Sequence, residues 1–387
     1  MAKDQYSRWK AILIPAIVAQ SVTIAGGLAT GREVMEYAGQ YGAYGSIVIA
    51  VFAVGMITMS VIIYEFARIF KTYDYGSFMQ RLIGKGWILF EFVYVIIALV
   101  ILAAVASAAG SISADILGVP SFLAVTALLA VSGVVMYRGR EAIERFKTVG
   151  SALLYVGYIV VAIVSLSYAP GNVTAVFTSM NTSAVDASLT DAVVSGLVYT
   201  GLLLTIFPPV LHTLDYQQTR SEAVLSGVVT GVMVVVPFLL VYISMMAFYP
   251  SSEIVGAEVP LFNMLQEASG FYIIVGYSLL IGWTLIESAV GHSYAVMDRV
   301  DKNIKEINIG SLEKIDGISQ QQKGALGLGF LLTALLLSRV GIITLVGTYY
   351  RILAYMLIAL FGLPLLTVGI YNIVNTDPKK QPVPTSD

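Results

Sequence analysis

Long segments free of Asp, Glu, Lys and Arg follow one another along this chain of 387 residues. They run over Ala11 to Gly31, Tyr41 to Tyr64, Phe92 to Ala114, Ile116 to Tyr137, Thr148 to Ala169, Ala192 to Leu214, Ala223 to Tyr249 and Ala268 to Ile286, the last continuing past Glu287 to Met297. Two more cover Gly324 to Ser338 and Gly341 to Asn375, the latter interrupted by Arg351. Hydrocarbon is about 30 Å thick and offers no water to an open backbone, so apolar segments near 20 residues read as membrane-spanning helices. The sequence therefore predicts an all-α integral membrane protein with ten transmembrane helices in one domain, residues 1–387. With 57% apolar and 12% charged residues, no stretch is polar enough to form a separate soluble domain.

The basic residues give the orientation. All of the 22 Lys and Arg except Arg32, Arg339 and Arg351 fall in the two tails or in alternate loops, among them Lys3, Arg68, Arg81, Arg138, Arg140, Arg220, Arg299, Lys314, Lys379 and Lys380. Cytoplasmic loops retain positive charge, so both termini are expected in the cytoplasm of a multi-pass protein of the lipid bilayer. The segments Pro170 to Thr190 and Pro250 to Gly270 then face outward, and Val259 to Ala268 is expected as a small surface helix there. Chemistry is restricted by what is missing. There is no cysteine and no GxxxxGK[ST] motif, and His212 and His292 belong to no metal-ligand pattern. No enzyme, no resident cofactor or metal and no nucleic-acid partner is expected, whereas the oligomeric state has no signature in the sequence.

Two spans carry interruptions. Span one holds Ala25-Gly26-Gly27-Leu28-Ala29-Thr30-Gly31, whose glycines favour unwinding, and span six holds Ile206-Phe207-Pro208-Pro209, where two amide donors are lost. The spacing from Ala11 to Ala192 at the starts equals that from Gly26 to Phe207 at the breaks. Two five-helix halves follow, about 9–169 and 191–375, joined by an outer loop 170–190 and ending in a tail 376–387. An odd number of helices per half inverts the second half, the plan of many secondary transporters, with broken helices lining a solvated site.

The stretch Gly26-Gly27-Leu28-Ala29-Thr30-Gly31-Arg32-Glu33-Val34-Met35-Glu36-Tyr37, followed by Gly39-Gln40-Tyr41-Gly42, resembles the opening motif of the YkvI family of membrane proteins. So does Thr72-Tyr73-Asp74-Tyr75-Gly76-Ser77-Phe78. That family is similar to the amino acid–polyamine–cation superfamily, with its leucine-transporter-type inverted repeat and a prokaryotic plasma-membrane location. The resemblance implies a substrate site at the two breaks. Around Ala25, Gly26 and Gly27, the amides of Ala29, Thr30 and Gly31 would meet an anionic substrate group, and the carbonyls of Thr205, Ile206 and Phe207 an ammonium or other cation. It also implies an ion site at the level of Glu287-Ser288, where the fold's usual pair of hydroxyls is replaced by a carboxyl and a hydroxyl.

The remaining polar residues are read individually. Arg32, Glu33 and Glu36 follow the first break and are expected as an ion pair at i, i+4 or as an outer gate, with His212 and Asp215 at an inner gate or a solvated helix end. Glu287, with Thr284 and Ser288 beside it, is the expected ion-coupling group, because a carboxylate inside the bilayer costs about 2.5–3.5 kcal/mol and calls for a proton, a partner or a wet pathway. Static pairing with Arg339, Arg351 or His292 is the structural alternative. Tyr199 is expected to close over the substrate. The function expected is secondary active transport of a small amino acid or related zwitterion or amine by alternating access, coupled to H+ or Na+; the alternative is a non-transporting ligand sensor or channel-like protein on the same fold.

Overall fold

The computed structural model describes residues 8–23, 26–137, 140–306 and 320–376; Lys3, Ala25, Arg138, Lys314, Lys379 and Lys380 lie outside them. Every regular element among the described residues is helical. Span one consists of α1 (Arg8–Thr23), α2 (Gly26–Thr30) and α3 (Arg32–Tyr37). The first half continues with α4 (Gly45–Phe70), the short α5 (Tyr75–Ile83), α6 (Trp87–Leu117), α7 (Ser121–Tyr137) and α8 (Arg140–Tyr168), and α9 (Pro170–Thr178) links it to the second. There follow α10 (Leu189–Leu202), α11 (Phe207–Leu211), α12 (Arg220–Met246), α13 (Ser252–Val255), α14 (Pro260–Ala268), α15 (Phe271–Glu306) and α16 (Gln320–Ser338). The last span joins α17 (Ile342–Thr344), α18 (Tyr350–Leu357) and α19 (Ile370–Asn375) through wider π turns.

By length and composition, six helices of the described residues can cross a membrane, or seven if α8 and α9, bent by 82° at Ala169, are counted as one span. The other three apolar runs fall on the broken α1–α3 and on two shorter apolar helices, Ser121–Val135 and Gly329–Ser338. The outward surface is itself apolar: Phe92, Ile163, Leu279, Leu336 and Val374 are all exposed. A helix apolar on all sides needs lipid on the faces that protein does not cover.

The bundle is drawn tight where α12 packs on α4. A Cβ on Gly227 would come within 2.7 Å of the Val61 backbone, and one on Gly231 within 2.8 Å of the Ile57 backbone. This small-residue pair brings two helices of one chain together, as close-packed membrane helices require. Arg68 grips Glu65 with two 2.8 Å hydrogen bonds, and Arg220 lies 4.0 Å from the same carboxylate. The C-terminal end of α4 and the N-terminal end of α12 therefore meet at one basic end of the molecule. There α5 is started by Asp74, whose side chain accepts from the Ser77 amide at 2.9 Å, and it buries Phe78 against Phe66 and Phe361.

The opposite end is closed by the connecting segments. The segment 170–190, expected as a plain loop, contains α9. The Asn172 amide nitrogen lies 3.0, 3.1 and 2.8 Å from the carbonyls of Met246, Ala247 and Tyr249 and so caps the end of α12. The helix expected over Val259 to Ala268 is α14, but it is inserted rather than superficial: Leu261, Phe262, Met264 and Leu265 are fully buried.

The Gly231 contact yields a stability prediction. Gly231→Leu forces the α4 and α12 backbones apart and lowers stability by about 1–3 kcal/mol, the range for overpacking, whereas Val232→Leu on the exposed neighbouring position leaves it unchanged. Thermal unfolding of the two purified variants in detergent checks the difference.

Candidate functional site

The first break is built around Gly31, which adopts the left-handed conformation (φ 78°, ψ −5°) and is pressed by Leu261 of α14; a Cβ would come within 2.6 Å of Leu261 Cγ. Glycine is the residue that meets both conditions without strain. Its amide donates to the Leu28 carbonyl at 3.0 Å. The Thr30 hydroxyl donates to the Gly27 carbonyl at 2.9 Å and accepts from the Arg32 amide at 3.2 Å. The Gly31 amide, expected to be offered to an anionic solute, is used within the turn between α2 and α3 in this structure. The Ala29 carbonyl accepts the Tyr277 hydroxyl at 2.9 Å, tying α2 to α15.

Span six tightens at the second interruption without unwinding, so that Leu189–Leu211 runs as one helix. Residues Leu203–Ile206 form a 3-10 turn, and α11 begins at Phe207 with Pro208 and Pro209 in its first turn. Proline is tolerated there, since its fixed φ suits a helix start. The cost falls on one carbonyl. The donors that would reach Thr205 O from three and four residues on are Pro208 and Pro209, which have no N–H. What approaches it is the Tyr94 hydroxyl at 3.5 Å, a long contact.

Both breaks open onto one cavity of about 60 Å³, room for a few water molecules. Span one contributes Val22, Thr23, Gly27 and Glu33; span six contributes Leu202, Leu203, Thr205 and Ile206. The other walls are Tyr94, Ile97, Ala98 and Ile101 of α6, His292 of α15 and Tyr350 of α18. Glu33 folds back over the break, so that its carboxyl group fills the space a Cβ on Gly27 would need. Its Oε2 accepts the Tyr199 hydroxyl at 3.1 Å. The Tyr199 ring is fixed by Tyr37, Phe52 and Phe238, at 4.9, 4.8 and 4.7 Å between centroids. Tyr199, expected to close over a substrate, is thus the residue that holds Glu33.

The neighbouring charges have other duties. Arg32 bridges Glu36 at 2.7 Å, the expected i, i+4 pair, and also donates to the carbonyls of Val255 and Ala257 at 2.9 and 3.0 Å. Arg351 lies 3.4 Å from Glu36, so it serves span one and not Glu287. Arg32 and Glu36 consequently strap the α13–α14 segment over the first break. Glu287, Ser288 and Thr284 are buried on α15, and Thr284 donates to Leu280 O at 3.0 Å. Ser288 carries its carbonyl 2.8 Å from His292 Nδ1, one turn from the cavity wall. His212 and Asp215 are exposed at the basic end, as a solvated helix end requires; Phe207 is fully buried, and Gly26 opens α2.

A second buried polar cluster went unread in the sequence, where Arg299 counted only as a loop charge. Arg299 reaches Glu91 of α6 at 2.9 Å, with its guanidinium 3.3 Å from the ring centre of Tyr94 and 3.9 Å from that of Tyr75. Tyr75 also donates to Glu91 at 3.3 Å. The signal was present in Glu91, an acid at the mouth of a long apolar run that needs a cation nearby. Because the Tyr94 hydroxyl touches Thr205 O, this cluster forms the wall between the cavity and the basic end.

No protein-family model and no curated protein matches the sequence. The fold is similar to solved structures of leucine-transporter-type proteins. A Na+-coupled sialic acid symporter in a substrate-bound, outward-open state aligns with a TM-score of 0.61 at 12% identity, over 94% of this chain and 79% of that one. MhsT in complex with L-phenylalanine gives 0.61 at 16% identity, over 96% and 98%. The Eremococcus coleocola manganese transporter in complex with an aromatic bis-isothiourea substituted compound gives 0.51 at 14%, over 97% and 91%. At these identities the likeness carries the architecture, and the chemistry rests on the residues of this chain. Among the described residues no group of three His, Asp or Glu side chains is arranged to hold a metal ion.

Removing one member of a buried pair leaves the other charge without compensation. Glu91→Gln is expected to cost about 3–5 kcal/mol, whereas the double variant Glu91→Gln with Arg299→Met recovers most of the loss; thermal unfolding of the two proteins measures both.

Proposed function

We propose that the protein is a secondary active transporter of a small amino acid or related zwitterion or amine, driven by a proton or sodium gradient across a prokaryotic plasma membrane. In this reading the ten apolar segments are ten spans, the basic end with both termini is cytoplasmic, and spans one, two, six and seven move against three, four, eight and nine. The observation that carries it is the meeting of two helix breaks, one in each half of the chain, on a single cavity. Backbone that is not helical is tolerated at membrane depth where it lines a wet cavity, and such a cavity between inverted halves is where a transporter binds its solute. The strap through Arg32 closes the outer side, and the Arg299–Glu91 cluster stands on the inner side, so each side has its own set of contacts to break and reform.

The coupling ion belongs to the same proposal. Glu287 on α15 and Glu33 at the first break are the buried carboxyls able to take up H+ or Na+ as the bundle rearranges. No resident cofactor and no catalytic step enters the cycle.

Proteoliposomes loaded to give a pH gradient, or separately a sodium gradient, and offered labelled alanine, glycine and small alkylamines test the reading. Accumulation above the equilibrium level, collapsed by the matching ionophore and lost in Gly27→Ala, where the added Cβ displaces the Glu33 carboxyl, is the expected outcome. Uptake that stops at equilibrium under both gradients contradicts gradient-coupled transport and favours a channel-like protein.

A further inference from the structure

Apart from the hydroxyls of Tyr94 and Tyr350, the side-chain groups of the cavity offer acceptors or have their hydrogens engaged. The Thr23 hydroxyl donates to Ala19 O at 2.9 Å and the Thr205 hydroxyl to Leu202 O at 2.9 Å, so their hydrogens are already engaged. His292 places Nδ1 2.8 Å from the Ser288 carbonyl, and a carbonyl can only accept. The ring therefore donates from Nδ1 to that carbonyl. Thr205 O lacks both of its helical donors, and Glu33 brings a carboxyl group to the other break. No Lys or Arg side chain lines the cavity among the described residues, and the nearby guanidinium groups of Arg32 and Arg351 are both engaged by Glu36.

A half-helix N-terminus attracts negative charge. Here the protein places its own carboxyl group there, from Glu33 lying against Gly27. A carboxylate on the solute would be set beside that group, with no Lys or Arg side chain in the cavity lining to compensate it. An ammonium group has the complementary chemistry, with three donors and a positive charge for a carboxyl, hydroxyl lone pairs and the Thr205 carbonyl, which one long bond from Tyr94 leaves with acceptor capacity.

We propose that the solute of this site is a small organic ammonium ion without a carboxylate, held by Glu33 and the Thr205 carbonyl. The proposal rests on the transporter reading and narrows it from amino acids to amines. The apolar part of the ligand lies along Ile97, Ala98 and Ile101, and the volume of about 60 Å³ limits it to a few carbon atoms.

Binding to the purified full-length protein, measured by calorimetry, tests the proposal independently of transport. The probes are n-propylammonium, propionate and L-alanine at matched ionic strength, with sodium chloride against choline chloride as a separate arm. Saturable binding of n-propylammonium, none of propionate, and an affinity at least about tenfold weaker in Glu33→Gln are expected, as for loss of a charge-assisted hydrogen bond. Pro209→Ala provides a second handle, because the restored amide can bond Thr205 O and seal the carbonyl without altering any charge. It is expected to keep the fold and to weaken n-propylammonium binding by several-fold. Binding of propionate or alanine in preference to the amine overturns the proposal, as does amine affinity unchanged in both variants, or a Glu33-dependent response to sodium with none to the amine. Amine binding without gradient-driven uptake retains this assignment and removes the transport reading. Gradient-driven alanine uptake that survives Glu33→Gln does the reverse.

Discussion

A polypeptide that interrupts its own helices inside hydrocarbon has to satisfy the freed backbone groups from within, and most of this structure is arranged around that demand. At the first break the demand is met locally, by the left-handed Gly31, the Thr30 hydroxyl and Tyr277. At the second it is left partly unmet. Two adjacent prolines start a new helix efficiently and in doing so strip the Thr205 carbonyl of its donors. Thr205 and Glu33 both line the cavity.

The architecture was legible in the sequence because its determinants are one-dimensional. Run length and the absence of charge mark the apolar helices, and the loop arginines mark one end. The lost amide donors of Pro208 and Pro209 are readable in the sequence, and the helix answers them by tightening over Leu203–Ile206. Side-chain destinations were less legible. Arg32, Glu33 and Glu36 occupy nearly successive positions, yet Arg32 and Glu36 face one another while Glu33 folds back across Gly27. Helical phase separates them in that way only once the left-handed turn at Gly31 has set the direction of α3. Arg299 escaped notice for a related reason: a charge close to a basic loop gives no sign in sequence that the long α15 carries it against Glu91 and between two tyrosine rings.

The two ends of the cavity are secured differently, which matters for any cycle of opening. On the side of α13 and α14 the closure is a strap, with one guanidinium holding two loop carbonyls and a leucine seated on Gly31. On the basic side it is a buried ion pair faced by aromatic rings, and Tyr94 belongs both to that cluster and to the cavity wall. The Tyr94 hydroxyl on Thr205 O thus joins the cavity wall to the Arg299–Glu91 cluster.

Because the chain contains no cysteine, single cysteines report solvent access without background. The most direct test of the central claim, that the two breaks enclose a wet cavity, is labelling of Ala98→Cys in the cavity wall by a membrane-impermeant methanethiosulfonate in proteoliposomes, with Leu279→Cys on the exposed apolar surface as reference. The account expects Ala98→Cys to label from the aqueous phase and Leu279→Cys to remain unlabelled. Equal protection of both positions from both sides of the membrane would contradict it.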